Sequence, residues 1–352
     1  MATTYTTPIT FTGIEAMDYI KESPYRTPLF DAIHTITQGI IVDQQIAWGN
    51  LWDDQLFKLN SGCGSGYVNK DVDLTAKTWS PKEIKAWTQT CWATFESSLF
   101  AYTLKNGADI ADIDNTLLGT YIVENMTQGI WRQIFNLAWF GDTNAALVTD
   151  SPAGYYTAGT TLAYHNILDG FFEQLFDGVT AGTVERYTIT YNAGVSYAVQ
   201  LALAVGYART VFMEMYNLAD ERLLTEPDTQ YLITRSLWQN WVDYRTSQTG
   251  LESSFKNMET GILQSDFYGV PIIPILEWDR YIRTFLDNTV TYHLPHRAVL
   301  TTKSNLNIGM DAASSPDAWK AWLDDTTELY NIKSMFKMDV KLFREELAVI
   351  AY

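Results

Sequence analysis

The sequence predicts an α+β fold, and three kinds of observation point there. Apolar residues recur at helical spacing through the middle of the chain, alternate in strand fashion towards both ends, and are separated by glycine or proline clusters. Of 352 residues, 47% are hydrophobic, enough for a sizeable core, so disorder of the whole chain is excluded.

Residues 1–13 are Thr-rich, uncharged and interrupted by Pro8, which reads as an extended arm. A short helical start, Ile14 to Ile20, is broken by Ser23-Pro24 and Thr27-Pro28. From Gly39 to about Ser98 come short strand-like pieces around Gly62-Cys63-Gly64-Ser65-Gly66, with Trp48, Trp52, Trp79, Trp87 and Trp92 spread among them. Val72, Leu74 and Ala76 alternate with polar residues, so this region reads as a long hairpin with a glycine-rich tip. Such a hairpin is marginal alone and needs something to lie against.

The clearest helix follows: Leu118, Ile122, Met126, Ile130 and Ile134, joined by Trp131, Phe135, Ala138 and Trp139, stopping at Gly141-Asp142. A second stripe runs through Leu168, Phe171, Phe172, Leu175, Phe176 and Val179. A third, from about Val195 to Leu218, puts Ala198, Ala202, Val205, Phe212, Met215 and Leu218 on one face and ends at Glu226-Pro227-Asp228. Tyr231-Leu-Ile-Thr reads as a buried strand leading into a helix, Leu237 to about Arg245, that Ser236 would cap. Phe267 to Leu276 is β-branched but proline-interrupted, as an edge strand would be. Strand pieces are expected over Val290 to Thr302, and a loop with a short Trp-containing helix over Ser314 to Asp325. In the tail Ile332, Phe336, Met338, Val340 and Leu342 alternate with Lys333, Lys337, Asp339 and Lys341, a long strand, and Leu347 to Tyr352 is apolar enough to be buried. No internal repeat and no separating linker is evident.

The net charge of −17, with 24 basic against 41 acidic residues and no Lys/Arg run, argues against a nucleic-acid reader. It leaves room for a protein that encloses nucleic acid without attracting it. Only 18% of residues are charged while 14% are aromatic, a balance that favours an assembling subunit and would also suit a carbohydrate binder. Cys63 and Cys91 are too few for a disulfide framework and imply a reducing compartment. The start lacks a basic, then apolar leader, and no window approaches 18 uninterrupted apolar residues, so neither export by a signal peptide nor a membrane span is expected.

The search for chemistry returns little. His293-Leu-Pro-His296 has no third ligand at metal spacing and reads as a loop with two solvated imidazoles. Gly62 to Gly66 lacks the Lys-Ser/Thr of a phosphate loop. The acid pairs Asp53-Asp54, Asp324-Asp325 and Glu345-Glu346 could be offered as a glycosidase site but read as solvated turns. No catalytic, cofactor-binding or metal-binding residue is assigned, and no cofactor is expected.

The order of these elements resembles the shell-protein fold first seen in phage Hong Kong 97 and shared by tailed-phage capsid proteins and encapsulins. The resemblance rests on Trp139-Phe-Gly-Asp-Thr-Asn closing a long apolar helix, Tyr231-Leu-Ile-Thr before a helix, Asp266-Phe-Tyr-Gly-Val-Pro-Ile-Ile, Arg297 to Gly309, and the alternating tail. It implies a Hong Kong 97-type division: residues 1–38 an N-terminal arm, 39–98 an E-loop, 99–228 a peripheral domain with a long spine helix and a helical insertion, 229–325 an axial domain, and 326–352 a C-terminal peripheral strand. It further implies a major capsid protein with no enzymatic activity, made in the bacterial cytoplasm and resident in the virion. Its partners would be further copies in hexamers and pentamers, portal, scaffolding and decoration proteins, and non-specifically the packaged DNA, with no membrane. No scaffold region precedes the arm, so a separate scaffolding protein or none is expected. The family's Lys to Asn crosslink cannot be carried over. An encapsulin-type compartment, or a carbohydrate-binding or hydrolysing protein, are the alternatives; for the shell, Trp48, Trp52 and Trp79 are the expected inter-subunit contacts.

Overall fold

The structure, a computed structural model, describes residues 29–50, 73–91, 117–150, 154–249, 265–311, 319–324, 327 and 329–352. The chain enters through helix α1 (Leu29–Ile33) and strand β1 (Thr35–Gln38), then forms β2 (Gln45–Asn50), β3 (Asp73–Thr78) and β4 (Lys82–Cys91). The long helix α2 (Leu117–Phe140) and α3 (Phe171–Ala181) follow, then β5 (Glu185–Tyr187), α4 (Tyr197–Leu201), α5 (Tyr207–Leu218) and α6 (Glu221–Thr225). β6 (Thr229–Ile233), α7 (Arg235–Thr249), β7 (Ser265–Phe267), β8 (Val270–Pro274), α8 (Leu276–Phe285) and β9 (Ala298–Thr302) come next. The last strands are β10 (Leu306–Met310), β11 (Trp319–Asp324), β12 (Leu329–Leu342) and β13 (Ala348–Ala351).

Among the described residues the strands form a six-stranded sheet, β5-β13-β9-β6-β8-β7, a five-stranded sheet built on β12, and the two-stranded ribbon β2-β3. The chain passes between the larger sheets three times, from β4 to β5, from β9 to β10 and from β12 to β13. Every residue of β6, β9 and β13 is buried. Their alternate side chains divide between two cores: Leu232, Val299 and Ile350 join α2, α3 and α8, while Tyr231, Leu300 and Val349 join α5 and α7. Strands buried on both faces read as continuous apolar runs, as Tyr231-Leu-Ile and Leu347 to Tyr352 do.

Helix α2 buries Ile130, Ile134, Phe135, Ala138 and Trp139, as its spacing predicts. It stops where predicted, just before Gly141, where a Cβ would lie 2.4 Å from the Leu168 carbonyl oxygen and 2.6 Å from that of Leu137, so that a side chain would not fit.

Five expectations are corrected. The stripe from Val195 to Leu218 is two helices, α4 and α5, separated at Gly206, whose φ of 75° is left-handed. Ser236 lies inside α7, which starts at Arg235, and its hydroxyl bonds His296 in place of capping the helix. The proline-containing run folds back as the hairpin β7-β8 over Tyr268 (φ 50°) and Gly269 (φ 83°), the paired left-handed turn that matches strand twist, so β7 takes the edge. Trp319–Asp324 is strand β11, not a helix, because β12 offers it a six-residue antiparallel partner. His293 and His296 are not solvated: His296 is fully buried and His293 half-buried, stacked on Tyr155. The predicted helix at Ile14 to Ile20 and the glycine-rich tip lie outside the described residues, as do Cys63, Trp52, Trp92 and Asp53-Asp54.

Candidate assembly surfaces

Strand β12 organises the five-stranded sheet. Ten residues of β4 pair with it, Lys82↔Met338 through Cys91↔Leu329, while its other edge takes β11 and then β10. Phe336, Met338, Val340 and Leu342 point into the core. The alternate residues Lys333, Met335, Lys337 and Lys341 are partly or well exposed, and Lys85, opposite Met335, lies 4.0 Å from the ring centroid of Trp87. This face is therefore locally basic and aromatic in an acidic chain. Among the described residues β4 pairs with β12 alone.

The hairpin is held at its root. Trp79 is 1% exposed and packs on Phe343, while a Cβ on Gly309 would come within 2.8 Å of its ring, so the absence of a side chain there makes room for it. Backbone bonds tie Asp43 N–H to the Trp79 carbonyl and Trp79 N–H to that of Gln44, and Ser80 N–H donates to Asp339 at 2.7 Å. Lys77 donates to the Leu342 carbonyl and Glu345, holding the Glu345 carboxyl below its usual range against the opposing effect of burial. Trp79 is thus a core residue of its own subunit, which corrects its expected role as an inter-subunit contact. The side chain of Trp48, in β2, and all of Trp52 lie outside what is described.

The arm is anchored just as firmly where it joins the body. His34 is 1% exposed among Phe30, Phe135, Trp139 and Phe171; it accepts from the Trp139 indole N–H at 2.9 Å and bonds the Phe30 carbonyl at 3.1 Å. Burial pushes its pKa down to about 3, so it is neutral. β1 then adds in parallel to β10, Thr35↔Asn307 through Gln38↔Met310.

A buried amide–imidazole network shapes the segment before α5. Gln200 donates to the carbonyls of Asn192 and Tyr292 and accepts from Tyr292 N–H. His296 bonds the Gln200 carbonyl at 2.7 Å and Ser236 at 2.6 Å, and burial lowers its pKa. Next to it, Arg297 is buried over Phe140, Phe172 and Phe176 and donates to the Leu294 and His293 carbonyls; burial brings it down to about 10. These groups occupy each other's hydrogen-bonding capacity, and so knit loops together.

An open groove of about 820 Å³ runs between β4, α2 and the loop around Tyr164. Among the described residues no Asp or Glu lines it. Of the acid pairs, Glu345 is engaged with Lys77 and Thr183, and Asp324 ends β11. Among the described residues no group of three His, Cys, Asp or Glu could hold a metal ion, and no helix is long and apolar enough to cross a membrane.

No protein-family model and no curated protein matches the sequence. Solved structures do match. A chain of the satellite phage P4 procapsid, a structure that includes the size-determination protein, aligns with a TM-score of 0.55 at 10% identity over 98% of this chain and 92% of that one. The fold is the Hong Kong 97 capsid fold. Chains from Mycobacterium phage Ogopogo (TM-score 0.52, 10% identity, 92% of this chain and 91% of that one) and Gordonia phage Cozz (0.50, 15%, 92% and 85%) share it. The capsid fold accounts for an arrangement that chemistry does not: a rooted arm, a rooted hairpin and a terminal strand, each tied to the body. Strand β11 and the outward turn of Val199 and Leu201 in α4 were not legible from spacing; for the second, the 21 residues from Tyr187 through Tyr207 without a charge were the available signal.

Proposed function

We propose that the chain is a major capsid protein, a non-enzymatic subunit that self-assembles into the icosahedral shell enclosing phage double-stranded DNA. The observation that carries this reading is the extent of the fold correspondence, 98% of this chain and 92% of the P4 procapsid chain, which leaves little of either outside it. In this reading residues 1–38 act as the arm, 39–98 as the E-loop, 99–228 as the peripheral domain, 229–325 as the axial domain and 326–352 as the returning peripheral strand. Copies join as hexamers and pentamers through heterologous contacts that close by rotation, so one chain needs several distinct edges. Portal, scaffolding and decoration proteins are the partners of such a shell, the virion is its location after synthesis in the host cytoplasm, and packaged DNA meets it without sequence preference.

With a net charge of −17, copies repel one another, and the repulsion weakens when salt screens it. Size-exclusion chromatography with negative-stain electron microscopy, at low and high salt and with magnesium, tests the reading. Shells or rings of five or six subunits are expected, in greater yield at higher ionic strength. A chain that stays monomeric in every condition overturns it.

A further inference from the structure

The segment that precedes α5 is built inside out. In α4, Gln200 is 1% exposed, while Val199 and Leu201 on either side are 48% and 45% exposed. Val195 and Val205, which flank the helix, are 80% and 87% exposed, and Val290, whose carbonyl accepts from Tyr197 N–H at 3.1 Å, is 53% exposed. The side-chain amide faces the interior, where the backbone of Asn192 and Tyr292 offers it partners while His296 bonds the Gln200 main-chain carbonyl, and that orientation turns the aliphatic side chains outward. The result is a ledge of exposed aliphatic residues on a backbone held by the hydrogen bonds of buried Gln200. Single exposed apolar residues are ordinary; a cluster on a rigid support marks a surface that something covers.

We propose that this ledge, residues 195–205 with Val290, is a contact surface for a second copy of the same chain. The proposal rests on the shell-building reading. Charge decides the occupant: between Arg186 and Arg209 there is no Asp, Glu, Lys, Arg or His, in a chain whose net charge is −17, and the carboxylate nearest Val290 in sequence, Asp287, is half-buried and accepts from the Tyr197 hydroxyl. Two like-charged copies meet at least electrostatic cost where neither presents charge, and burying valine and leucine there supplies attraction that does not fade with salt. A nucleic acid or a basic partner gains nothing from such a surface. The hydrogen-bonded support also means that little conformational freedom is lost on contact.

The test places charge on the ledge without touching its support. Val195→Asp with Val205→Asp changes two of its most exposed positions, so the isolated subunit is expected to unfold at the wild-type denaturant midpoint. The assembled fraction at equal concentration is expected to fall by about tenfold or more, a change a modest loss of contact energy produces. Val205→Ile, which keeps the surface apolar, is expected to assemble as wild type. Wild-type yield of assemblies from the double aspartate variant overturns the inference and leaves the shell reading intact. Should that variant fail to fold, benzoylphenylalanine at position 205 decides within otherwise unaltered assemblies. Irradiation yielding a two-chain product supports the contact, and a monomer band alone overturns it. If the wild-type chain never assembles, it is the shell reading that fails.

Discussion

The two larger sheets have similar strand counts but different surroundings. In the six-stranded sheet β6, β9 and β13 are covered on both faces, one by α2, α3 and α8 and the other by α5 and α7. The sheet around β12 puts one face into the first core and leaves lysines, Met335 and Trp87 on the other. The first is packed against helices on both sides; the second keeps one face open to solvent. The contrast teaches that fold stability is concentrated in the doubly covered sheet, and substitutions in the two sheets should separate accordingly.

The largest effect is expected in the doubly covered sheet. Leu300 is fully buried, and Leu300→Ala should cost about 2–5 kcal/mol of unfolding free energy through lost transfer energy and a residual cavity, read by denaturant titration. Trp79→Ala sharpens the comparison at the root of the hairpin. About 3 kcal/mol of subunit stability is expected to be lost; wild-type stability with defective assembly would instead make Trp79 an inter-subunit contact. Gln200→Leu leaves the Asn192 and Tyr292 carbonyls and Tyr292 N–H without their partner and is expected to destabilise by about 2–3 kcal/mol, since each buried orphaned group is costly.

Acid supplies a graded test. His34 has a folded pKa of about 3, below its unfolded value, so the folded state disfavours the protonated ring. Its contribution is complete above the unfolded pKa of about 6.5 and is lost as pH falls from there towards 3, at up to about 1.4 kcal/mol per pH unit. His34→Gln, measured by denaturant unfolding between pH 7 and 4, should flatten that part of the acid slope; an unchanged slope removes His34 from the account. The smallest effect belongs to the open face of the β12 sheet, where Lys333→Ala should change subunit stability by no more than about 0.5 kcal/mol.

Periodic patterns were legible wherever a local element and its cover coincide. The alternation of β12, the end of α2 at Gly141 and the continuous apolar runs of β6 and β13 all follow from residue spacing, and the ordered series of elements was enough to indicate a capsid-type fold. Legibility failed where a pattern's meaning depends on what lies opposite. The stripe through Ala198, Ala202 and Val205 continues in register with Phe212 and Met215, yet its first half faces out and its second half faces in. Period alone tells which residues share a helix face, not whether another element covers that face. His293 and His296 were equally opaque, because their burial is imposed by Tyr155, Gln200 and Ser236, which are distant in sequence.

By itself the sequence determined the alternation of helix and strand, the absence of a metal-ligand or nucleophile motif, the acidic balance, and the long uncharged window after Arg186. Those are properties of composition and local spacing. Only the tertiary structure decided that Trp79 is a core residue, that Trp319–Asp324 is a strand, and that Val195 to Val205 points outward. Each depends on a partner far along the chain: Phe343 and Gly309, β12, or the pocket of polar groups that draws Gln200 inward. A side chain's propensity is local, but its burial is a property of everything that folds against it.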